Sequence, residues 1–272
     1  MTSGFILLDK AIGISSAKAL YPIKKILPKG CKIVHAGTLD PFASGLLIAA
    51  VGRATKAVEY VMIMDKVYEF TAKWGEATDT DDLTGKVINK TNKIPTLREI
   101  EEILPKFHGK IQQIPPVYSA ISVGGRRSYD MARNGENVQL KTREVMVNSI
   151  KITEHKTTHT SFIMECSKGC YVRSIARDIG LTLGSYSNVT QLRRIKIGNF
   201  NVHNAADKII PIVEIFSHYE KVYVDDETSQ NLINGIKSNV SNLEKFLLIN
   251  DTHNLMMIGT NISGELKLKR IN

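Results

Sequence analysis

Residues 45–51, GLLIAAV, form an unbroken apolar run of strand length, whereas residues 66–74, KVYEFTAKW, alternate between apolar and polar positions. The first pattern suits a packed segment and the second a strand with one wetter face. A different period starts after Thr96, where Leu97, Ile100, Ile103, Leu104 and Phe107 recur at helical spacing and Thr96 with Glu99 makes a capping box. The spacing predicts a helix over about 97–107. Another helix is expected from Ser15 or Ser16 to Leu27, kinked or broken by Pro22. Residues 163–166 read as a short strand, after which KGCYVRSIARDIG turns into a helix with Arg173 and Arg177 in its first turns. Short alternating segments over 221–270 predict a small β-rich appendage.

Two connecting stretches stand apart from these patterns. The loop GEATDTDDLTG, residues 75–85, is acidic and matches a calcium loop only weakly, because the Gly and terminal Glu positions are wrong. It reads as a polar connection between strands. Residues 112–135, QQIPPVYSAISVGGRRSYDMARNG, combine a proline pair, paired glycines, Arg126, Arg127, Arg133 and two tyrosines. A segment of this kind, about 110–140, is expected to be mobile and to offer cations and rings to single-stranded RNA.

Composition narrows the class. With 272 residues, 43% of them hydrophobic, the chain fits one large domain, or one domain plus a small appendage. Its apolar runs are far short of the roughly 20 residues a bilayer crossing needs, and MTSGFILLDK lacks the basic start and long apolar stretch of a signal peptide. A cytoplasmic protein without a membrane partner is expected. The charge is uneven: residues 211–272 hold 6 basic and 8 acidic side chains, leaving 30 basic and 19 acidic, a net +11, on residues 1–210. A positive body points to a polyanionic partner, above all nucleic acid. Three cysteines make no disulfide framework, so reduced thiols are expected. The spacing of Cys166 and Cys170 is not a usual zinc pair, and neither His155 nor His159 completes a metal pattern.

Two charged residues ask for an explanation. Asp40 is the single acid of HAGTLDPFASGLL, residues 35–47, on a tight Gly/Thr/Pro loop that feeds the apolar run. A carboxylate held that way either caps a turn or does chemistry. Arg173 opposes the helix macrodipole near a helix start, a position that calls for an anionic partner.

Taken in order, LDKAIGISS (8–16), HAGTLDPFASGLL, KVYEFTAKWGEATDTDDLTG, QQIPPVYSA, CSKGCYVRSIARDIG and LRRIKIGNF resemble the TruB family of tRNA pseudouridine synthases over nearly all of residues 3–205. The resemblance implies an α+β pseudouridine synthase fold, with a mixed, mainly antiparallel central sheet flanked by helices. Residues 1–210 would be the catalytic domain and 211–272 a short β-rich domain, PUA-like because it is shorter and less alike than a full PUA domain. Asp40 then matches the catalytic aspartate, Tyr68 the active-site tyrosine and Arg173 the active-site arginine. Leu192 lines the pocket, and His35 matches a residue that fills the space left by a flipped base. Lys10 braces the active-site loop, while Tyr171, Arg126 and Arg127 belong to the substrate-binding set. Ala11, Val34 and Cys170 replace a Pro, a Gly and a Thr that are usual in the family. The implied reaction turns uridine 55 of the tRNA T-loop into pseudouridine with no cofactor and no obligatory protein partner. A non-catalytic tRNA-folding chaperone with the same basic surface, and a guide-RNA-dependent enzyme of the same superfamily, are the competing readings.

Overall fold

Three strands open the chain in the computed structural model: β1 (Gly4–Lys10), β2 (Ile33–His35) and β3 (Ser44–Val51). The structure describes residues 3–236, 240–252, 255–262 and 265–271, apart from the side chains of Arg127, Asp207 and Ile262. Successive side chains of β1 and β3 alternate between two buried clusters. Phe5, Leu7, Leu46, Ile48 and Ala50 belong to one, and Ile6, Leu8, Leu47, Ala49 and Val51 to the other. Covered on both faces over Phe5–Leu8 and Leu46–Val51, these strands have no wet side there, which is why those stretches run apolar without a break. Between β1 and β2, Pro22 divides the expected helix into Ser16–Ala19 and Tyr21–Ile26 and sits in the first turn of the second. A proline there forfeits no hydrogen bond, whereas inside a helix it would.

β4 (Lys66–Trp74) keeps its alternation, with Phe70, Ala72 and Trp74 buried and Glu69 exposed. β5 (Glu76–Thr78) and β6 (Val87–Lys90) pair as a hairpin around the acidic loop. The helix after Thr96 runs over Leu97–Ile103 and tightens to a 3-10 turn, Leu104–Phe107, where Pro105 interrupts the ladder. Its capping box is formed: the Thr96 amide donates to the Glu99 carboxylate at 2.8 Å and the Glu99 amide to the Thr96 hydroxyl at 3.3 Å. β7 (Gly109–Gln113) follows, then a two-stranded hairpin of β8 (Ser122–Val123) and β9 (Arg126–Arg127), then the helix Ser128–Arg133.

β10 (Arg143–Lys156) and β11 (His159–Cys166) form a long hairpin. β11 begins four residues before the expected start at 163, because Thr160 points inward and accepts a hydrogen bond from Trp74 Nε1 at 2.9 Å. Polar residues hid that strand end from the hydrophobic pattern. β12 (Ser187–Ile197), β13 (Phe200–Asn201) and β14 (Ala206–Ile210) complete a ten-stranded sheet. Its order is β14-β1-β3-β12-β4-β11-β10-β7, with β2 on β3 and β13 on β12. Only the short β3–β12 pairing is parallel. Across β4 and β12 lies the helix Val172–Thr182, which buries Val172, Ile175, Ala176 and Ile179 with Phe70, Trp74 and Phe162.

The C-terminal part carries a four-stranded sheet, β15 (Glu220–Tyr223), β16 (Lys245–Asn250), β17 (Leu255–Ile262) and β18 (Glu265–Arg270). It is β-rich as expected, and it shares a core with the larger sheet. Phe216, Leu247, Ile249 and Ile258 pack with Phe5, Leu7 and Leu46, and the rings of Phe5 and Phe216 meet edge to face at 6.1 Å. The Lys269 ammonium reaches the Glu59 carboxylate across the same contact. No helix among the described residues is long and apolar enough to cross a membrane.

Candidate active site

The loop carrying Asp40 lies at the parallel seam of the large sheet, where it enters β3 beside β12. Its backbone is held from two sides by residues distant in sequence. On one side the Ser16 hydroxyl accepts from Leu39 N at 2.8 Å and donates to Leu39 O at 3.0 Å, and Gly13 N donates to Pro41 O at 2.7 Å. Lys10, 1% exposed, gives its ammonium to the carbonyls of Ala11 and Ile14 at 2.9 and 2.8 Å, and to Pro41 O at 3.5 Å. On the other side Arg194, also 1% exposed, donates to Leu46 O, Gly37 O and Thr38 O. Leu39 and Phe42 anchor the loop in the apolar cluster below it. Gly45 is obligatory here: it takes φ +105°, and a Cβ would stand 2.2 Å from the Arg194 carbonyl oxygen.

Arg173 faces the loop from the first turn of the helix Val172–Thr182, with 3% of its side chain exposed. Its Nε is 3.0 Å from Asp40 Oδ2, off the N–H axis, so the contact is an ion pair without an aligned hydrogen bond. Nη1 is 3.3 Å from Asp82 Oδ2 and donates to Thr80 O at 2.8 Å, while Nη2 donates to Tyr118 O at 2.9 Å. An arginine opposed by its helix dipole thus finds two carboxylates and two carbonyls, the anionic surroundings its position called for. Asp40 keeps 33% of its side chain accessible. Burial pushes its carboxyl above the usual range and the like charge of Asp82 adds to the rise, whereas Arg173 and Lys10 oppose it.

Asp82 is a residue that the sequence pattern missed. The acidic loop does connect two strands, but it is not simply solvated: Asp82 is 3% exposed, and its Oδ1 accepts from Thr80 Oγ1 at 2.8 Å and Thr84 N at 2.9 Å. Asp81, at φ +60°, turns its carboxylate to Arg177 at 2.9 Å. The available signal was complementarity: paired acids at 81–82 against Arg173 and Arg177, one helical turn apart. Gln113 was overlooked as well. Its side chain accepts from Tyr171 N at 2.8 Å and donates to Tyr171 O at 3.1 Å, while Ile114 O receives Ser174 Oγ and Arg177 Nη2, both at 2.8 Å. The QQIPPVYSA stretch is therefore sewn along the helix that bears Arg173.

A cleft of about 960 Å³ opens over this floor. Asp40, Tyr68, Tyr171, Arg173 and Leu192 all line it, as do Arg194, Ser119 and Cys170. Tyr68 stands directly across from Arg194 in the β4–β12 ladder, and burial pushes its phenol up to about 12, against the pull of Arg194. That phenol stays protonated throughout the neutral range. Arg143 lies 6.0 Å from the centre of the Tyr171 ring on the cleft wall. Four of the expected residues lie elsewhere. Lys10 stays behind the loop, in the bracing position. His35 ends β2 outside the cleft lining; its Nδ1 is buried without a hydrogen-bond partner, and burial and Arg194 push its pKa down. Arg126 is on the exposed hairpin, bound by Glu136 at 2.9 and 2.6 Å. Arg127 has its backbone in β9, and its side chain lies outside the described residues. Among the described residues no three His, Cys, Asp or Glu side chains are grouped to hold a metal.

A ten-stranded mixed sheet with a buried arginine between two loop carboxylates narrows the comparison with known proteins. The family model described as TruB family pseudouridylate synthase (N terminal domain) matches residues 24–172. The tRNA pseudouridine synthase B of Mesorhizobium japonicum is 46% identical over 198 residues, 73% of this chain and 61% of that protein. Among solved structures, a Cbf5-Nop10-Gar1 complex superposes with a TM-score of 0.70 at 22% identity, covering 98% of this chain and 83% of the other. An H/ACA RNP bound to a substrate RNA containing 2'-deoxyuridine gives 0.67 at 20% identity, with coverages of 98% and 83%. The fold is the α+β fold of pseudouridine synthases. Within that class, the chain belongs to the TruB family. It spans about three-fifths of the length of the M. japonicum relative.

Proposed function

We propose that the chain isomerises uridine to pseudouridine in tRNA, at uridine 55 of the T-loop, with Asp40 as the nucleophile. The observation that carries the reading is the Asp40–Arg173 pair at 3.0 Å on the floor of a cleft walled by Tyr68, Tyr171 and Leu192. The reaction is an internal rearrangement: the C1′–N1 bond breaks, the uracil turns, C5 bonds to C1′, and the C5 proton is given up while N1 regains one. It calls for no cofactor, only an ionised carboxylate, a stacking surface and a proton-handling group.

Each requirement has a residue. Arg173 and Lys10 favour the ionised form of Asp40, and the loop's two-sided anchoring fixes its direction, so little reorganisation is left for the reaction. Tyr68 offers a ring face to the base and a phenol held protonated, which can relay the C5 proton only by passing its own O–H proton to an acceptor in the same step. Leu192 makes the apolar side of the pocket and Tyr171 a second aromatic wall. The base must leave the folded T-loop at a cost of a few kcal/mol, which protein contacts have to offset. His35, with a neutral ring and an unbonded nitrogen, is our candidate for filling the vacated space. The hairpin with Arg126 and Arg127 is taken as a mobile phosphate-binding arm and the C-terminal sheet as a PUA-like unit. The enzyme works in the cytoplasm on free tRNA without a protein partner.

Incubating the protein with tRNA transcripts and mapping pseudouridine by nucleotide position tests the proposal. The expected product is a single pseudouridine at position 55, made by the protein alone; conversion at another uridine, or RNA annealing without any conversion, would overturn it. Tyr68→Phe refines the test: RNA binding should persist while the rearranged product fails to form.

A further inference from the structure

Gln113 ends β7 two residues after Ile111, on the strand face that packs in the apolar cluster. The slot suits an aliphatic side chain, yet it holds a primary amide that is 1% exposed. Burying an amide costs free energy unless its donor and acceptor are both used. Here both are spent on one residue: Oε1 accepts from Tyr171 N at 2.8 Å, and Nε2 donates to Tyr171 O at 3.1 Å.

Tyr171 is placed where such a hold matters. It is the N-cap of the helix Val172–Thr182, its own side chain makes no cap, and its amide has no acceptor inside the helix. Its carbonyl also receives Ile175 N at 3.1 Å, so Gln113 and the first helical turn meet at the same oxygen. Arg143 stands directly opposite Gln113 in the β7–β10 ladder, and its guanidinium lies 6.0 Å from the centre of the Tyr171 ring. One rung of the sheet therefore reaches Tyr171 twice, at its backbone through Gln113 and at its ring through Arg143.

We propose that Gln113 is a positioning residue, whose side-chain amide fixes the direction in which the Tyr171 ring enters the cleft. The N–H of Tyr171 belongs to the peptide group before its Cα and the C=O to the one after it. With both held by one planar amide, the Cα–Cβ bond that starts the ring has a single direction, and the ring keeps its place in the cleft lining. A carboxylate at 113 offers acceptors only, and a hydrocarbon of the same size offers neither bond. The consequence for turnover rests on the function proposed above, in which the ring walls the uridine pocket, whereas the clamp itself does not.

Gln113→Leu in the full chain keeps the volume and removes both hydrogen bonds. Amide exchange read by mass spectrometry should speed up in the peptide that contains Tyr171, while the peptide spanning Leu97–Ile103 exchanges as before. Single-turnover conversion of a tRNA transcript, with protein in excess, should slow by about tenfold. Repeating the substitution in a Tyr171→Ala chain separates positioning from a general structural effect. There Gln113→Leu should change the rate by less than about twofold, because no ring is left to position. An equal loss in both backgrounds, unchanged exchange at Tyr171, or parental turnover by Gln113→Leu would overturn the proposal. Gln113→Met, unbranched and adaptable in shape, carries the same measurements should the Leu variant fold poorly. Should the parent chain convert no uridine, the function proposed above fails, while the exchange measurement still decides the clamp.

Discussion

Arg173 and Arg126 are each paired with carboxylate, in opposite surroundings. The first has 3% of its side chain exposed and meets Asp40 and Asp82 from two separate loops; the second has 54% exposed and meets Glu136 on its own excursion. Buried Arg173 donates to Thr80 O and Tyr118 O and pairs with Asp40 and Asp82, so the guanidinium joins the helix Val172–Thr182, the Asp40 loop and the acidic loop into one unit. At Arg126 water competes for both partners, and an exposed pair of this kind holds little together. Burial, not the presence of an ion pair, decides which charge organises the cleft and which stays on the solvated surface.

Replacing the acid itself should have the largest effect. Asp40→Asn is nearly isosteric and keeps the loop, so binding of a T-arm RNA should stay within about tenfold, about 1.4 kcal/mol, while pseudouridine formation falls below detection. An Asn variant that turns over, verified free of deamidation, would make Asp40 a turn residue and remove the cleft floor from the chemistry.

Next in size is the loss of the shared cation. Arg173→Met leaves Asp40 and Asp82 without the guanidinium that pairs with both. Breaking a buried pair costs about 3–5 kcal/mol, with the lower end expected because a third of Asp40 is open to water. Urea denaturation gives the number. A stability close to that of the parent chain would mean that the two carboxylates do not depend on Arg173.

Asp82→Asn separates the two acids more gently. In the proposed reaction turnover needs Asp40 ionised, so activity should fall on the acid side as that carboxyl takes up its proton. Asp82 is one of the forces raising it. Without that like charge the acid limb of kcat/KM should move to lower pH. A limb that moves upward would show that Asp82 acts on Asp40 chiefly by holding Arg173 in place.

The smallest expected change is at the exposed pair. Arg126→Ala should leave the thermal midpoint where it was, because its partner is solvated, yet should flatten the salt dependence of RNA binding by about one unit per lost phosphate contact. A clear drop in thermal stability with an unchanged salt slope would reverse the roles assigned to the two arginines.

Residues near one another in sequence carried much of this in advance. The run at 45–51, the alternation at 66–74 and the capping box at Thr96 prescribe elements through local periodicity and local hydrogen bonds, and all three formed. Asp40 and Arg173 stood out for local reasons too, one a lone acid on a tight loop, the other a cation at the wrong end of a helix. What remained hidden depends on distance along the chain. Asp82 reads as a solvated loop acid until the loop is laid against β12, where Leu83 N donates to Val189 O and Val189 N to Asp81 O. Arg194 reads as one more basic residue until β12 places it between Tyr68 and Gly45. Local periodicity fixes which face of a strand or helix is apolar. Only tertiary pairing decides which buried charges share a cavity, because desolvation and a counter-charge on a distant segment exist only once the sheet has closed around them.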